Sequence, residues 1–279
     1  MISDEQRRAF QETVWEFYRH NGRTSLSWRT PEPNGGFDAY KIMVSEAMLQ
    51  QTQVPRVVPK YAEFLALFPT VQALAAAPLA SVLAAWSGLG YNRRAKFLWQ
   101  AAQAIVQIHK GWVPSTLHEL TALPGIGKNT AGAILAYAYG QPVTFVETNV
   151  RTVYIHHFFA DETGVSDALI LELAQATLDA EHPREWYWAL MDYGTHLKKT
   201  VGNVARSSKS YARQSAFEGS LRQVRGAVIR ALTKQPHTET ELAAVVPDER
   251  LGQVLQALLQ ENLVAQAGGR YHLPGAVLK

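Results

Sequence analysis

The sequence predicts an all-α protein that ends in a small winged-helix-like module. Three observations carry this. Apolar residues recur at spacings of three and four through the first two thirds of the chain. Proline and glycine cut that pattern into helix-length segments of about 10–15 residues. Before residue 260 only residues 143–146 are strand-like.

The elements follow in order. Val57, Val58, Tyr61, Phe64, Leu65 and Phe68 fall on one helical face; Leu79, Val82, Leu83 and Trp86 repeat the pattern, as do Leu98, Ala101, Ala102 and Ile105. Pro69, Pro78, Gly88, Gly90, Pro114 and Pro124 separate these helices. A helix over residues 221–234 leads to Thr238-Glu239-Thr240-Glu241, the pattern of a capping box. A further helix over residues 248–262 places Leu251, Val254, Leu255, Leu258 and Leu259 on one face. Residues 263–267 and 270–273 flank Gly268-Gly269, a hairpin signal. The expected division is a helical core over 1–219, including a basic segment 195–219, and a winged-helix-like domain over 220–279. Such a module serves DNA contact or protein–protein contact alike.

Composition narrows the class. With 279 residues, 47% hydrophobic and 18% charged, the chain is a packed globular protein. No run of about 18 apolar residues offers a membrane span. The opening MISDEQRRAF carries acids and arginines where a signal peptide is apolar, so a cytoplasmic location is expected. The cysteine count of 0 excludes disulfides, a thiol nucleophile, thiolate zinc sites and a cysteine-held iron–sulfur cluster. Net charge is +3, but eight bases (Lys198, Lys199, Arg206, Lys209, Arg213, Arg222, Arg225, Arg230) stand between His196 and Arg230 against one acid, Glu218. That run reads either as a phosphate-tracking surface or as ordinary solvated surface.

The most specific feature is Leu123-Pro124-Gly125-Ile126-Gly127-Lys128-Asn129-Thr130. A helix ends before Pro124, Gly125 and Gly127 permit a tight turn, and a new helix starts near Thr130. The N–H groups of the turn and of the helix N-terminus then form an anion site suited to a DNA phosphate, with Lys128 adding charge.

Residues 40–200 resemble the helix-hairpin-helix base-excision glycosylases, and among them the MutY-type adenine glycosylases. Ser45-Glu46-Ala47-Met48-Leu49-Gln50-Gln51-Thr52-Gln53-Val54 resembles that type's active-site helix. Trp86-Ser87-Gly88-Leu89-Gly90-Tyr91 is similar to its minor-groove loop, and residues 123–130 to its hairpin. Glu147-Thr148-Asn149-Val150 takes the place of its Asp-Gly-Asn-Val. The resemblance implies a glycosylase core of two helical lobes.

It also implies roles. Breaking an N-glycosidic bond builds cationic character on the sugar and negative charge on the base, so one carboxylate stabilises the sugar and one acid protonates the base. The resemblance makes Glu46 that acid, Glu147 the stabilising carboxylate, and Asn149 a group positioning water or base. Gln51 and Tyr91 would wedge into the base stack emptied by flipping, with Thr52 and Leu89 near the opposite base. Asn129 and Trp28 would line the substrate pocket. Gly125, Gly127, Lys128, Thr130, Lys198, Lys199 and Arg206 would hold the backbone. Plainer readings stand beside these: Glu147 as a helix N-cap, Tyr91 as a core aromatic, and His156 and His157 as structural residues.

Four departures mark this chain. The cluster cysteines usual in the family are missing after Met191-Asp192-Tyr193-Gly194, so segment 195–219 is expected to dock without metal. Glu147 replaces Asp; one methylene displaces the carboxylate by about 1.5 Å unless the backbone compensates, a shift that can cost ~100-fold in rate. Asn129 stands where the endonuclease III branch has its Schiff-base lysine, and Lys128 lies about 100° away on the helix. The larger C-terminal domain usual in adenine glycosylases is replaced by the winged-helix-like module.

The expected function is a monofunctional glycosylase acting on double-stranded DNA, removing adenine opposite 8-oxoguanine or guanine. The alternatives are a mispair glycosylase for uracil, thymine or an oxidised pyrimidine, and an inactive damage-sensing DNA-binding protein. No cofactor is expected, although the hairpin turn leaves room for a monovalent cation. A monomer with no membrane partner is expected.

Overall fold

The computed structural model describes residues 2–211 and 216–276. Arg213, one of the eight clustered bases, lies outside them. Among the described residues the helices are α1 (Asp4–Asn21), α2 (Ala39–Leu49), α3 (Val54–Leu67), α4 (Val71–Ala76), α5 (Leu79–Ala85), α6 (Arg93–Ile108) and α7 (Leu117–Ala122). There follow α8 (Lys128–Tyr139), α9 (Thr148–Phe158), α10 (Asp167–Thr177), α11 (Pro183–Thr200), α12 (Leu221–Leu232), α13 (Glu239–Val245) and α14 (Leu251–Gln260). The only sheet among these residues is the hairpin of β1 (Ala265–Ala267) and β2 (Arg270–His272).

Local chemistry sets the ends. Ser3 and Gln6 close a reciprocal capping box on α1, and Thr238 and Glu241 do so on α13, as the sequence pattern requires. Gly140, at φ 63°, stops α8 in a left-handed cap. Gly268 and Gly269, at φ 56° and 76°, supply the hairpin turn.

The chain forms two compact units. One comprises Met1–Ile42, Ser115–Thr121 and Ile126–Arg213; the other comprises Met43–Pro114, Ala122–Gly125 and Gln214–Lys279. In the first, α9 packs on α11, with α1 and α10 alongside. Phe10 meets Tyr154, Phe158 and Trp186 ring to ring, and Phe145 stacks on Tyr187 at 4.0 Å between centroids. Gly194 permits the close approach of α11 to α9, since a Cβ there would lie 2.3 Å from the Asn149 carbonyl oxygen.

In the second unit α6 packs on α4 and α5, with Phe64 and Trp86 in contact above them. Val57, Tyr61 and Phe64 form the buried stripe of α3 and Phe68 at its C-cap is buried too, whereas Val58 is exposed, one residue around the helix from Val57. Helices α12–α14 and the hairpin follow in the order the sequence pattern suggests, and they belong to this same unit. Pro274 O accepts from Ala80 N–H, and Glu261 O accepts from Lys96 Nζ.

Residues 143–146 are not a strand. They run as extended chain with no ladder partner; Phe145 N–H donates to the Tyr187 hydroxyl, which donates to Val143 O. A side chain on α11 satisfies the backbone groups that a neighbouring strand would otherwise have paired.

Segment 195–211 is held by backbone and polar contacts. Val165 N–H donates to Ser207 O and Lys209 N–H to Val165 O, forming a short parallel bridge. Ser210 donates to Asp167, and Ala205 is buried. The residues present do not fit an iron–sulfur cluster, because no cysteine thiolate exists to hold one.

Candidate active site

In the first unit several sequence-predicted residues gather at the start of α9. Glu147 occupies the N-cap position with extended backbone, and its carbonyl accepts the first helical hydrogen bond, from Arg151 N–H. Its side chain makes no capping hydrogen bond. Backbone and side chain therefore have separate duties: the main chain starts the helix, while the carboxylate is left for other work. Burial pushes that carboxyl up to about 7, and the Arg151 cation pulls weakly the other way. Arg151 acts at a distance because its guanidinium is held bidentately by Asp167, at 2.8 Å for both contacts.

Asn149 lies in the first turn of the same helix. Lys198 Nζ, from α11, donates to its Oδ1 at 2.6 Å. An ammonium only donates, so the amide orientation is settled and Nδ2 is left as the donor end. Lys198 is half-buried, and burial, with some help from Arg151, lowers its pKa. Asn129, in the first turn of α8, donates from Nδ2 to Val146 O at 2.8 Å, bracing the residue before Glu147. Trp28 is buried in a 3₁₀ turn, and its neighbour Arg29 is bound by the Asp192 carboxylate, at 2.8 and 2.9 Å. Lys128, Lys199 and Arg206 are exposed, whereas Thr130 is half-buried. Helix α8 starts at Lys128, two residues earlier than the sequence pattern suggests, with Gly127 at its N-cap.

In the second unit a separate group of sequence-predicted residues gathers around the end of α2. Glu46 is half-buried between Ser45 and Met48, both fully buried, so it is not a solvated surface acid. Beyond α2 the chain turns at Gln51, whose φ is 56°, and the loop after α5 turns at Tyr91, whose φ is 47°. Left-handed backbone at residues other than glycine persists only where surroundings enforce it. Arg94 binds the residues flanking both turns. Its Nη1 donates to the carbonyls of Ala47, Met48 and Gln50; its Nη2 donates to Thr52 Oγ1 and the carbonyls of Leu89 and Gly90. One guanidinium thus closes the C-terminus of α2 and ties it to the 86–91 loop.

Gln51, Thr52 and Tyr91 are brought together there, with Gln51 exposed. Leu89 differs: its side chain is buried, and its carbonyl serves Arg94. A cleft of about 500 Å³ opens among Gln50, Gln51, Tyr91, Arg93, Gly125 and Arg222. Gly125 sits at φ 75°, where a Cβ would meet Phe97 at 2.5 Å.

Arg94, Arg151 and the inward turn of Lys198 were not visible as site features in the sequence. Arg94 and Lys198 each stand beside another base, and Arg151 is the one Lys or Arg between Lys128 and Arg184; only their partners distinguish them.

Comparisons place this arrangement among known proteins. Residues 44–176 match the HhH-GPD superfamily of base excision DNA repair proteins. The chain is 36% identical to an adenine DNA glycosylase of Mycolicibacterium smegmatis, over 93% of this chain and 94% of that protein. It is 32% identical to an adenine DNA glycosylase of Buchnera aphidicola, over 75% of this chain and 60% of that protein, so it spans less than two thirds of that relative's length. A thermostable thymine-DNA glycosylase structure shares the fold, with a TM-score of 0.57 and 23% identity over 68% of this chain and 87% of that one.

Proposed function

The chain belongs to the HhH-GPD superfamily of base excision DNA repair proteins, and from that membership we propose that it hydrolyses the N-glycosidic bond of adenine mispaired with 8-oxoguanine or guanine in double-stranded DNA. The observation that carries the reading is Glu147, a half-buried carboxylate at a helix N-terminus that its own helix does not use.

In this reading Glu147 in its charged form stabilises positive charge developing on the deoxyribose. Desolvation makes that charge costly before reaction and valuable when the sugar becomes cationic. Asn149, held by Lys198, presents its Nδ2 donor to water or the base. Glu46 delivers a proton to the departing adenine, which leaves poorly as an anion. Gln51 and Tyr91 fill the space the flipped nucleotide vacates. The reaction stops at the abasic sugar, because Asn129 offers no amine and its own amide is committed to Val146 O.

A panel of duplexes carrying single defined mispairs, incubated with the protein and then split into alkali-treated and untreated portions, tests this. Strand breaks should appear with adenine opposite 8-oxoguanine or guanine, and only after alkali. Preferred cleavage at uracil or thymine would replace adenine as the substrate. Borohydride trapping of a protein–DNA adduct at the yield of turnover would contradict hydrolysis without lyase chemistry.

A further inference from the structure

A side chain of the C-terminal module reaches the 86–91 loop. Arg222, in the first turn of α12, donates from Nη1 to the Tyr91 hydroxyl at 2.7 Å, across 131 residues of sequence. Its guanidinium carbon also lies 4.9 Å from the centroid of the Tyr91 ring. Arg94 approaches the same ring at 5.5 Å. The tyrosine is therefore gripped by two cations, one from α6 and one from the module, while its own backbone sits at φ 47°. The module itself is anchored independently of this contact. Arg225 pairs with Glu261 at 2.6 Å, and Lys96 binds the Glu261 carbonyl. Arg222 thus extends from a fixed base.

We propose that the winged-helix-like module is a positioning element for DNA distortion, and that Arg222 is the residue through which it sets the Tyr91 side chain for insertion into the base stack. The inference rests on the reading of Tyr91 as a wedge. A wedge must be rigid before it meets DNA, since ordering a side chain during insertion costs binding energy. The hydrogen bond fixes the far end of the ring, and the two guanidinium groups within 5.5 Å of its centroid restrict its movement. Arg222 touches neither base nor sugar in this role; it acts through Tyr91.

The test uses the full chain and a duplex with adenine opposite 8-oxoguanine, carrying 2-aminopurine beside the adenine to report unstacking. Arg222→Ala, Tyr91→Ala and the double variant are compared for the rate of the fluorescence rise and for single-turnover excision. Loss of one cation–π contact and one charge-assisted hydrogen bond should slow the fluorescence rise by about 10-fold in Arg222→Ala. The double variant should be no slower than Tyr91→Ala. Tyr91→Phe removes only the accepting hydroxyl, and should slow the same step by a smaller factor, which keeps the test open if Arg222→Ala folds poorly. A wild-type fluorescence rise in both Arg222→Ala and Tyr91→Phe overturns the inference, as does a full Arg222→Ala effect in the Tyr91→Ala background. If Tyr91→Ala itself leaves the rise unchanged, the wedge reading fails and the inference falls with it; a slow Tyr91→Ala beside a normal Arg222→Ala and a normal Tyr91→Phe overturns the inference alone.

Discussion

Lys198 Nζ donates to Asn149 Oδ1 at 2.6 Å, joining the last turn of α11 to the first turn of α9. Its sequence neighbour Lys199 is exposed. Successive residues on a helix point about 100° apart, so two adjacent lysines are given different work.

Lys198→Ala should therefore lower the single-turnover excision rate by about 10-fold, the scale of one lost charge-assisted hydrogen bond, with little change in DNA affinity. Lys199→Ala with Arg206→Ala should do the reverse: an unchanged rate and a flatter plot of log affinity against log salt. Equal effects of the two sets on salt dependence would return Lys198 to the phosphate-binding surface.

Glu147→Gln should abolish excision while preserving DNA binding, since the carboxylate acts on charge present only in the transition state. It should also stabilise the fold at alkaline pH. The folded carboxyl titrates at about 7 against 4.5 for the free group. A raised acid contributes stability that is complete below 4.5 and is lost as pH rises to about 7. Replacing it with Gln should remove that loss, on the order of 1–3 kcal/mol at pH 8, and change little at pH 4. Urea unfolding at the two pH values measures both arms; a variant less stable at pH 8 would show that the carboxylate is satisfied when charged.

The same titration governs activity. Glu147 must be ionised to work, so wild-type single-turnover rates should fall as pH drops below about 7. Glu147→Asp, a shorter carboxylate at the same helix terminus, should keep measurable activity and shift the acid limb. A flat profile between pH 5 and 8, recorded as ~equal rates, would detach catalysis from this group.

Gly194→Ala should destabilise the protein by at least about 1–3 kcal/mol, because the added Cβ meets backbone and neither α9 nor α11 can yield without separating. A thermal midpoint lowered by several degrees is the expected reading. An unchanged midpoint would mean that the two helices are not pressed together at Asn149.

Much of this protein was legible in the sequence. The apolar period located α3, α5 and α6; Thr238 and Glu241 announced the start of α13; and Gly268-Gly269 announced the hairpin. These signals act over one or two turns of chain, where period and capping leave few options. The candidate acids at positions 46 and 147 and the glycines at 125 and 127 are proposed from motif order. What each group touches could not be named. Residues 143–146 have the composition of a strand, yet Tyr187 took the place of a sheet partner. Glu147 stands where a capping acid would, but only the fold desolvates its carboxylate and leaves it uncapped. Lys198 and Arg222 lay within one basic run; one turned to Asn149 and the other to Tyr91, 131 residues away. A charge count is additive along the chain, whereas a hydrogen-bond partner is fixed by which surfaces pack together, and that packing belongs to the tertiary structure alone.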